Sequence, residues 1–328
     1  MTLLTGIALL TLAVVVALAI VQTKNLFVAV MLSGVFSLLM AANFLILDSP
    51  DVALTEAAVG AGISTVLFLA ALSLSAEHER DFKTSKIAGL VVLVTIGVVI
   101  YATFEQPRLG DPTSPVQLHV APWYLQNTPP LIDVPNVVTA VLASFRGYDT
   151  LGEVFVVLTA GIGVLFLLSA RPSKTARAPT TPAPGPVEGL RHYLIPRVVG
   201  RLLIPFIFLF GLYVQFHGDF GPGGGFQAGA IIAASVILYA LLEGEPQALR
   251  VVPAKFLKVL AVSGALIYSA VGIAGILLGG NFLDYNVLSA DPVAGQHLGI
   301  LLVEIGVGVT VTGVLLSVFF AFATRGKM

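Results

Sequence analysis

Three glutamates stand in or beside apolar stretches of this sequence, where a carboxyl group is costly to bury. Glu56 and Glu304 lie inside such stretches, and Glu153 lies at the start of another. An ionisable side chain at membrane depth is rare and is by default a functional-site hypothesis. A deprotonated carboxylate is a hard-oxygen ligand for a cation, whereas the protonated acid is neutral and carries a proton. We therefore predict that these three residues lie on a proton or cation path.

Each glutamate also has a structural interpretation, which the sequence leaves open. Glu56 and Glu304 would then form hydrogen-bonded contacts between helices. Glu153 would belong to a capping box opened by Asp149 or Thr150. Arg146 is the expected partner of Asp149 or of Glu153, because it is the nearest cation in the chain.

The stretch that carries Glu56 begins with two further acids and continues with very small residues. Asp48 and Asp51 flank Pro50, where they serve either as helix caps that complement the helix dipole or as members of the path. The run Ala57–Gly62 has almost no side-chain volume. Such a run either lets a neighbouring backbone approach closely or allows the helix to bend or bulge.

A glycine-rich turn, HGDFGPGGG at 217–225, separates two other apolar stretches. An irregular turn at membrane depth is tolerated only where it is buried in protein or lines a wet cavity. We therefore predict a packed turn formed by Gly223, Gly224 and Gly225. His217, which titrates near neutral pH, and the neighbouring Asp219 are added to the predicted path.

Composition indicates the class of protein that must hold these residues. The chain of 328 residues is 57% hydrophobic and 11% charged, with a mean hydropathy of +0.96 and no cysteine. Soluble domains are about one quarter charged, so an all-α, polytopic membrane protein is predicted. Nine spans are predicted at residues 3–21, 26–47, 52–75, 86–104, 150–170, 194–216, 224–243, 256–279 and 296–322.

The basic residues predict the orientation of these spans. With the N-terminus outside and the C-terminus inside, all but Arg108 and Arg146 of the 17 lysines and arginines fall on the cytoplasmic side. The first span is expected to be a mature helix, because no basic segment precedes it. Glu243 and Glu245 fall at the cytoplasmic end of span seven and are expected to be solvated.

Two long connections organise the chain. Residues 105–149 form an outer segment, in which Asn136–Phe145 is predicted to be a short helix lying flat on the membrane. Residues 173–189 form a linker rich in proline, threonine and alanine. The linker divides the chain into a five-helix module, 1–172, and a four-helix module, 190–328, without a repeat that relates the two.

Three motifs carry a resemblance to a known family. They are SPDVALTEAAVG, VPNVVTAVLASFRGYDTLGE and HGDFGPGGGFQAGAI. Together they resemble the multisubunit Mrp-type cation/proton antiporters. The first half is similar to the small membrane region at the C-terminus of the large A component, and the second half is similar to the B component. The family pattern has glutamine at the position of Glu56 and glutamate at that of Gly60, so here the acid stands four residues earlier.

The resemblance implies a subunit of a complex in the inner (plasma) membrane that exchanges cytoplasmic Na⁺ for external protons. Its partners would be the other membrane subunits of the antiporter and the lipid bilayer. The same modules occur in membrane-bound hydrogenases and sulfur-reducing complexes, so a redox-driven pump is one alternative. A purely structural membrane adaptor is another.

Other classes of function find little support in the sequence. We expect no nucleic-acid partner, because the net charge is −1. No catalytic residue, metal site or cofactor is predicted either, since nucleotide-binding, metal-binding and nucleophile motifs are missing from the sequence.

Overall fold

Nine long apolar helices make up most of the structure. The computed structural model describes residues 2–75, 78–79, 85–108, 110–169 and 193–325. Within these ranges, nine helices are long and apolar enough to cross a membrane. They are α1 (Thr2–Gln22), α2 (Leu26–Ile46), α3 (Pro50–Leu72), α4 (Lys86–Phe104), α5 (Gly147–Ser169), α6 (Leu194–His217), α7 (Gly225–Glu243), α8 (Ala254–Leu277) and α9 (Pro292–Arg325).

The predicted all-α, nine-span membrane protein is thus confirmed. Its N-out, C-in orientation stays a prediction. The linker 173–189 lies outside the described residues.

Local chemistry sets several helix ends. The Asn25 side chain accepts a hydrogen bond of 3.1 Å from the N–H of Val28 and caps α2. Pro50 occupies the first turn of α3, where its missing N–H costs nothing. Two helices begin three or more residues earlier than predicted, α5 at Gly147 and α9 at Pro292.

One of the two alternatives for the small residues of α3, a bulge in the helix, is present in the structure. Glu56–Ile63 form eight residues of π-helix between two α-helical parts. Such bulges are uncommon and frequently occur at functional sites. Close approach also occurs here, because a Cβ atom added at Gly34 of α2 would lie 2.8 Å from the hydroxyl of Thr65 in α3.

Helix α9 is the centre of the molecule and joins the two halves. It packs against α5, α7 and α8. One core cluster contains Ile132 and Val154 from the first half together with Tyr268, Ile300 and Val303 from the second. The halves therefore share a hydrophobic core across the predicted linker. Helix α4 differs, because every one of its residues is exposed.

The outer segment contains two short helical stretches, at 116–131 and 137–145. The second is helical as predicted, and its position flat on the membrane stays a prediction. Thr139, Ala140 and Ala143 are buried inside the protein. The hydroxyl of Tyr285 donates a hydrogen bond of 2.9 Å to the carbonyl of Ala143, which ties this stretch to the second half.

Candidate functional site

A cavity of about 520 Å³ opens where the two halves meet at the glycine-rich turn. It lies between α3, α5, α7 and α9 and the short helix at 137–145. Most of its lining is apolar, with acids and amides at a few positions. The lining residues are Asp51, Thr55, Val138, Thr139, Leu142, Ala143, Thr150, Glu153, Val156, Val157, Gly223, Gly224, Gly225, Phe226, Gln227, Val303, Glu304 and Val307.

Three of the predicted acids meet at this cavity. Asp51 comes from α3, Glu153 from α5 and Glu304 from α9, so each is supplied by a different helix. None of the three forms a salt bridge with a cation in the described part of the chain. Within the same ranges, no three acids or histidines are close enough to hold a metal ion. The site therefore concentrates negative charge that those residues leave uncompensated.

The glycine turn is closely packed against the rest of the site. A Cβ atom added at Gly223 would lie 2.6 Å from the carbonyl of Val214, and one added at Gly225 would overlap the carbonyl of Glu304. Gly224 has a φ of +116°, a backbone conformation that other residues rarely adopt. The turn therefore requires glycine for space at two positions and for conformation at the third.

Two side chains from the outer segment satisfy the carbonyl groups of this turn. The amide of Asn136 donates hydrogen bonds of 3.0 and 2.9 Å to the carbonyls of Gly218 and Gly221. The hydroxyl of Thr139 donates a bond of 2.7 Å to the carbonyl of Gly218. Since unpaired backbone groups are costly in a membrane, these bonds explain how an irregular turn is accommodated here.

Helix α3 holds the other side of the turn. The N–H of Gly223 donates a bond of 3.3 Å to the carboxylate of Asp51. The amide of Gln227 donates a bond of 2.7 Å to the hydroxyl of Thr55, one turn further along α3. Ser49 precedes α3, but its side chain forms no capping hydrogen bond. Asp51 lies in the first turn of α3 and also binds the glycine-rich turn.

Glu304 lies deepest among the acids at the turn. Its side chain is half-buried, and its carboxylate faces the backbone of the turn. Cβ atoms added at Gly218 and Gly224 would lie 3.1 and 3.3 Å from its two oxygens. The charges of Asp51 and Asp219 are close enough to repel it. This arrangement suits a group that binds a cation or a proton, because either one relieves the repulsion.

Asp219 and His217 lie on the turn, but they do not line the cavity. Burial raises the pKa of the Asp219 carboxyl, and the nearby charge of His297 partly offsets this effect. The ring of His217 stacks on that of Tyr213, with centroids 4.7 Å apart. The structure thus places Asp219 beside the acids of the cavity and His217 in an aromatic contact.

At the start of α5, the structure does not contain the capping box that was the structural alternative for Glu153. The helix begins at Gly147, and the hydroxyl of Thr150 donates instead to the carbonyl of Leu142, at 2.7 Å. Arg146 pairs with Asp149 through a hydrogen bond of 2.6 Å and not with Glu153. The Glu153 side chain is consequently left at the open edge of the cavity, where it is exposed.

Glu56 and Asp48 lie away from this cavity. The carboxylate of Glu56 occupies the space left by the missing side chain of Gly60, since a Cβ atom there would lie 2.6 Å from a Glu56 oxygen. It would also lie 2.7 Å from the hydroxyl oxygen of Ser37 in α2. A carboxylate on position 56 therefore reaches the place where a side chain on position 60 would begin. Asp48 is exposed, with a φ of 54°, in the turn between α2 and α3.

The opposite end of the molecule contains a charged cluster that the sequence did not predict. Glu243 was expected to be solvated, but only 4% of its surface is exposed. It accepts hydrogen bonds of 3.0 and 3.1 Å from Arg197 and one of 2.5 Å from Arg201. The two arginines are four residues apart on α6, so they share a helix face, and this spacing was the available signal.

Comparisons with known proteins agree with this arrangement. A family model described as a domain related to the MnhB subunit of Na⁺/H⁺ antiporters matches residues 195–317. Models for the D and E subunits of MBH match residues 11–77 and 91–182. A Staphylococcus aureus (strain Newman) protein named as antiporter subunit mnhB2 is 33% identical over 133 residues, which cover 40% of this chain and 94% of that protein.

The chain belongs to the MnhB family.

Two further relatives cover both halves of this MnhB-family chain. A Rhizobium meliloti protein named as the A/B component of a K⁺/H⁺ antiporter is 27% identical over 329 residues, which cover 90% of this chain and 32% of that protein. A chain in the structure of the Mrp complex from Dietzia sp. DQ12-45-1b superimposes with a TM-score of 0.73 and 27% identity, over 96% of this chain and 34% of that one. The chain thus spans about a third of these two relatives. The resemblance to Mrp-type antiporters is confirmed.

Proposed function

We propose that this chain is a membrane subunit of a multisubunit cation/proton antiporter in the plasma membrane. It works with the other membrane subunits of that complex and contributes to the exchange of cytoplasmic Na⁺ for external protons. Residues 1–172 and 190–328 act as two modules joined by the linker. The family membership and the Mrp complex structure support the class of complex.

The observation that carries the proposal is the cavity at the glycine turn. Asp51, Glu153 and Glu304 reach it from three helices, and no described cation forms a salt bridge with them. Carboxylate, amide and hydroxyl oxygens are ligands that hard cations prefer. The same carboxylates carry protons when no cation is bound, so one site accommodates both ions in turn.

The transported cation is a further part of the proposal. The matching family model is named for Na⁺/H⁺ antiporters, whereas the Rhizobium meliloti relative is named for K⁺. We propose Na⁺ because the family model describes a whole family of proteins, whereas K⁺ appears in the name of one relative. Proton movement in everted vesicles, measured with equal concentrations of NaCl and KCl, tests this choice. A larger response to KCl would replace Na⁺ by K⁺.

Substitution of the deepest acid tests the path itself. Glu304→Gln retains the volume and hydrogen bonding of the side chain but removes its titration. In everted vesicles with the assembled complex, cation-dependent proton movement should fall more than tenfold. Glu105→Gln makes the same chemical change at an exposed position at the end of α4 and should leave activity unchanged. Wild-type activity of an assembled Glu304→Gln complex would exclude Glu304 from the path.

The proposal also requires the cavity to face the outer side. Single cysteines at Ser85 and Thr113, both exposed, report on opposite sides of the membrane in the predicted topology. A membrane-impermeant thiol reagent should label Thr113→Cys in intact cells and Ser85→Cys only in everted vesicles. The reverse labelling pattern would indicate that the cavity faces the cytoplasm.

One observation favours a second candidate, a redox-driven ion pump. The two family models that match the first half describe subunits D and E of MBH. In that case the chain would form the same module beside redox subunits. The proteins that copurify with the chain, and the ability of vesicles to exchange ions without an electron donor, separate the two candidates. A structural adaptor would instead tolerate substitution of all three cavity acids with normal exchange.

A further inference from the structure

Two adjoining cavities form a groove between α5, α8 and α9, at the end of the molecule opposite the glycine turn. Their volumes are about 220 and 380 Å³, and both are lined by Leu165, Lys258 and Ser317. The remaining lining is mainly leucine, isoleucine, valine, alanine and phenylalanine. The groove is therefore continuous and mainly apolar, with the amine of Lys258 and the hydroxyls of Ser317 and Thr324 along it. The Thr324 hydroxyl donates a hydrogen bond of 2.8 Å to the carbonyl of Phe320.

The hydroxyl of Ser317 is the first sign of a ligand. Only 8% of the Ser317 surface is exposed, and its hydroxyl oxygen has no hydrogen-bond partner. A buried polar group without a partner is costly, and most such groups in native proteins are paired. Because Ser317 lines both cavities, an occupant of the groove can supply the missing hydrogen bond.

Lys258 is the second sign. Its side chain is exposed, and no described acid forms a salt bridge with it. Arg250 and Lys255 lie at the same end of the molecule, which is the predicted cytoplasmic side. Basic pockets between helices on this side are suited to acidic lipid headgroups.

The positions of the two groups along the helices match the shape of a phospholipid. Lys258 is four residues from the start of α8, or about 6 Å. Ser317 is eight residues from the end of α9, or about 12 Å. These distances are measured to ends that are not level, because a Cβ atom added at Gly313 of α9 would lie 2.5 Å from the backbone nitrogen of Ala261 of α8. In this antiparallel pair Lys258 and Ser317 therefore lie at about the same level. The long lysine side chain can extend to the membrane surface, at the depth of a phosphate, whereas the short serine hydroxyl stays at the depth of an ester carbonyl.

The size of the groove disfavours a protein helix as the occupant. One helical turn with its side chains fills a cylinder about 10 Å wide and 5.4 Å high, or about 400 Å³. The two cavities together hold little more than one such turn. An acyl chain is thinner and can follow the whole groove.

We propose that this groove binds one anionic phospholipid. An acyl chain lies along the apolar lining, an ester carbonyl accepts a hydrogen bond from Ser317, and the phosphate pairs with Lys258. The lipid fills a seam between the first-half helix α5 and the second-half helices α8 and α9. It thereby contributes to the cohesion of the two halves, independently of ion exchange.

Lipid retention by the purified full-length chain tests this proposal. The chain is reconstituted in nanodiscs with equal amounts of phosphatidylglycerol and phosphatidylcholine, returned to detergent, and analysed for bound lipid by mass spectrometry. The wild type should retain phosphatidylglycerol in preference. Lys258→Gln should reduce that preference about fivefold, because one lysine near an anionic headgroup contributes about that factor. Lys255→Gln, on the same helix but outside the groove, should keep the preference.

A second variant blocks the groove without touching the charge. Val262 lines the groove and is 44% exposed, so Val262→Trp can fill the open side without a clash in the core. It should reduce retention of both lipids while the thermal stability in lipid-free detergent stays at the wild-type value. Equal lipid retention by the wild type, Lys258→Gln and Val262→Trp would overturn the proposal. So would crosslinking of Val262→Cys in the assembled complex to another protein of that complex.

Discussion

The two ends of the second half hold acids in opposite ways. At one end, Glu243 lies between Arg197 and Arg201 and accepts three hydrogen bonds from them. At the other end, Glu304 faces a turn of glycines and is repelled by Asp51 and Asp219. The same residue type thus sits in a compensated site and in an uncompensated one, about one helix length apart.

This difference separates structural from functional acids. A carboxylate engaged by two guanidinium groups forms strong, charge-assisted bonds that fix the packing of α6 against α7. A carboxylate without such partners gains most from a mobile ion, because binding a cation or a proton relieves the repulsion. The expected roles are therefore a clamp at the arginine end and an ion station at the turn.

The largest effect is expected at Glu56, an acid that lies outside both sites. Its substitution tests whether an acid away from the cavity also takes part in ion exchange. Glu56→Gln should reduce Na⁺-dependent proton movement in everted vesicles more than tenfold while the complex remains assembled. Glu56→Asp should retain part of the activity with an altered pH profile. Full activity of Glu56→Gln at every pH would restrict the functional acids to the cavity.

Two glycines in the same π-helix provide a matched control for the position of Glu56. A Cβ atom at Gly60 would displace the Glu56 carboxylate, whereas one at Gly62 would make only an ordinary contact of 3.5 Å with the carbonyl of Ala57. Gly60→Ala should therefore reduce exchange, and Gly62→Ala should not. Equal activity of the two variants would show that the Glu56 carboxylate need not occupy this space.

Stability should respond in opposite ways at the two ends. Glu243→Gln loses charge-assisted bonds to two partly exposed arginines and should reduce the free energy of unfolding by roughly 2–3 kcal/mol. Glu304→Gln removes an uncompensated carboxylate and should leave stability unchanged or slightly increase it. Denaturation of the purified chain in detergent measures both. A loss at Glu304 as large as that at Glu243 would erase the distinction between the sites.

The glycine turn should be less tolerant than glycines on open helix faces. Gly224→Val places a branched side chain at a φ of +116° and should cost roughly 1–3 kcal/mol, with a lower yield of assembled complex. Gly163→Val on α5 is the control, because a Cβ atom there has no neighbour within 4 Å. Normal yield and activity of Gly224→Val would indicate an exposed, adaptable turn.

The smallest effect is expected from pH, at the acid beside the cavity. Burial raises the pKa of Asp219 in the folded chain, so its contribution to stability is complete below the unfolded pKa and is lost as pH rises through the folded value. Asp219→Asn lacks this loss and should become relatively more stable than the wild type as pH rises from about 4. Thermal denaturation between pH 3.5 and 7 measures the difference.

Asp111 provides a control of opposite sign. Hydrogen bonds from the side chain and backbone of Thr113 lower the pKa of this exposed carboxyl. Its contribution is therefore present above the unfolded pKa and is lost as pH falls. A parallel pH dependence for Asp219→Asn and Asp111→Asn would contradict the burial of Asp219.

The sequence alone was enough to predict the nine helices and the resemblance to Mrp-type antiporters, and it offered the bulge in α3 as one of two alternatives. These features depend on local properties, namely the length of apolar runs, the volume of neighbouring side chains and short motifs. A membrane makes such local signals stronger, because every backbone group in a span must be paired within its own helix.

Which of the acids lie at one site is visible only in the tertiary structure. The rotation and packing of each helix bring Asp51, Glu153 and Glu304 to one cavity. They leave Glu56 outside that cavity, with its carboxylate in the space beside Gly60. The same packing turns part of the stretch at 136–145 inward, so that the side chains of Asn136 and Thr139 hold a turn that is 82 and 79 residues away in sequence. Glu243 of α7 likewise pairs with Arg197 and Arg201 only because α6 packs against α7. Contacts between helices depend on many side chains at once, and no single stretch of sequence contains them.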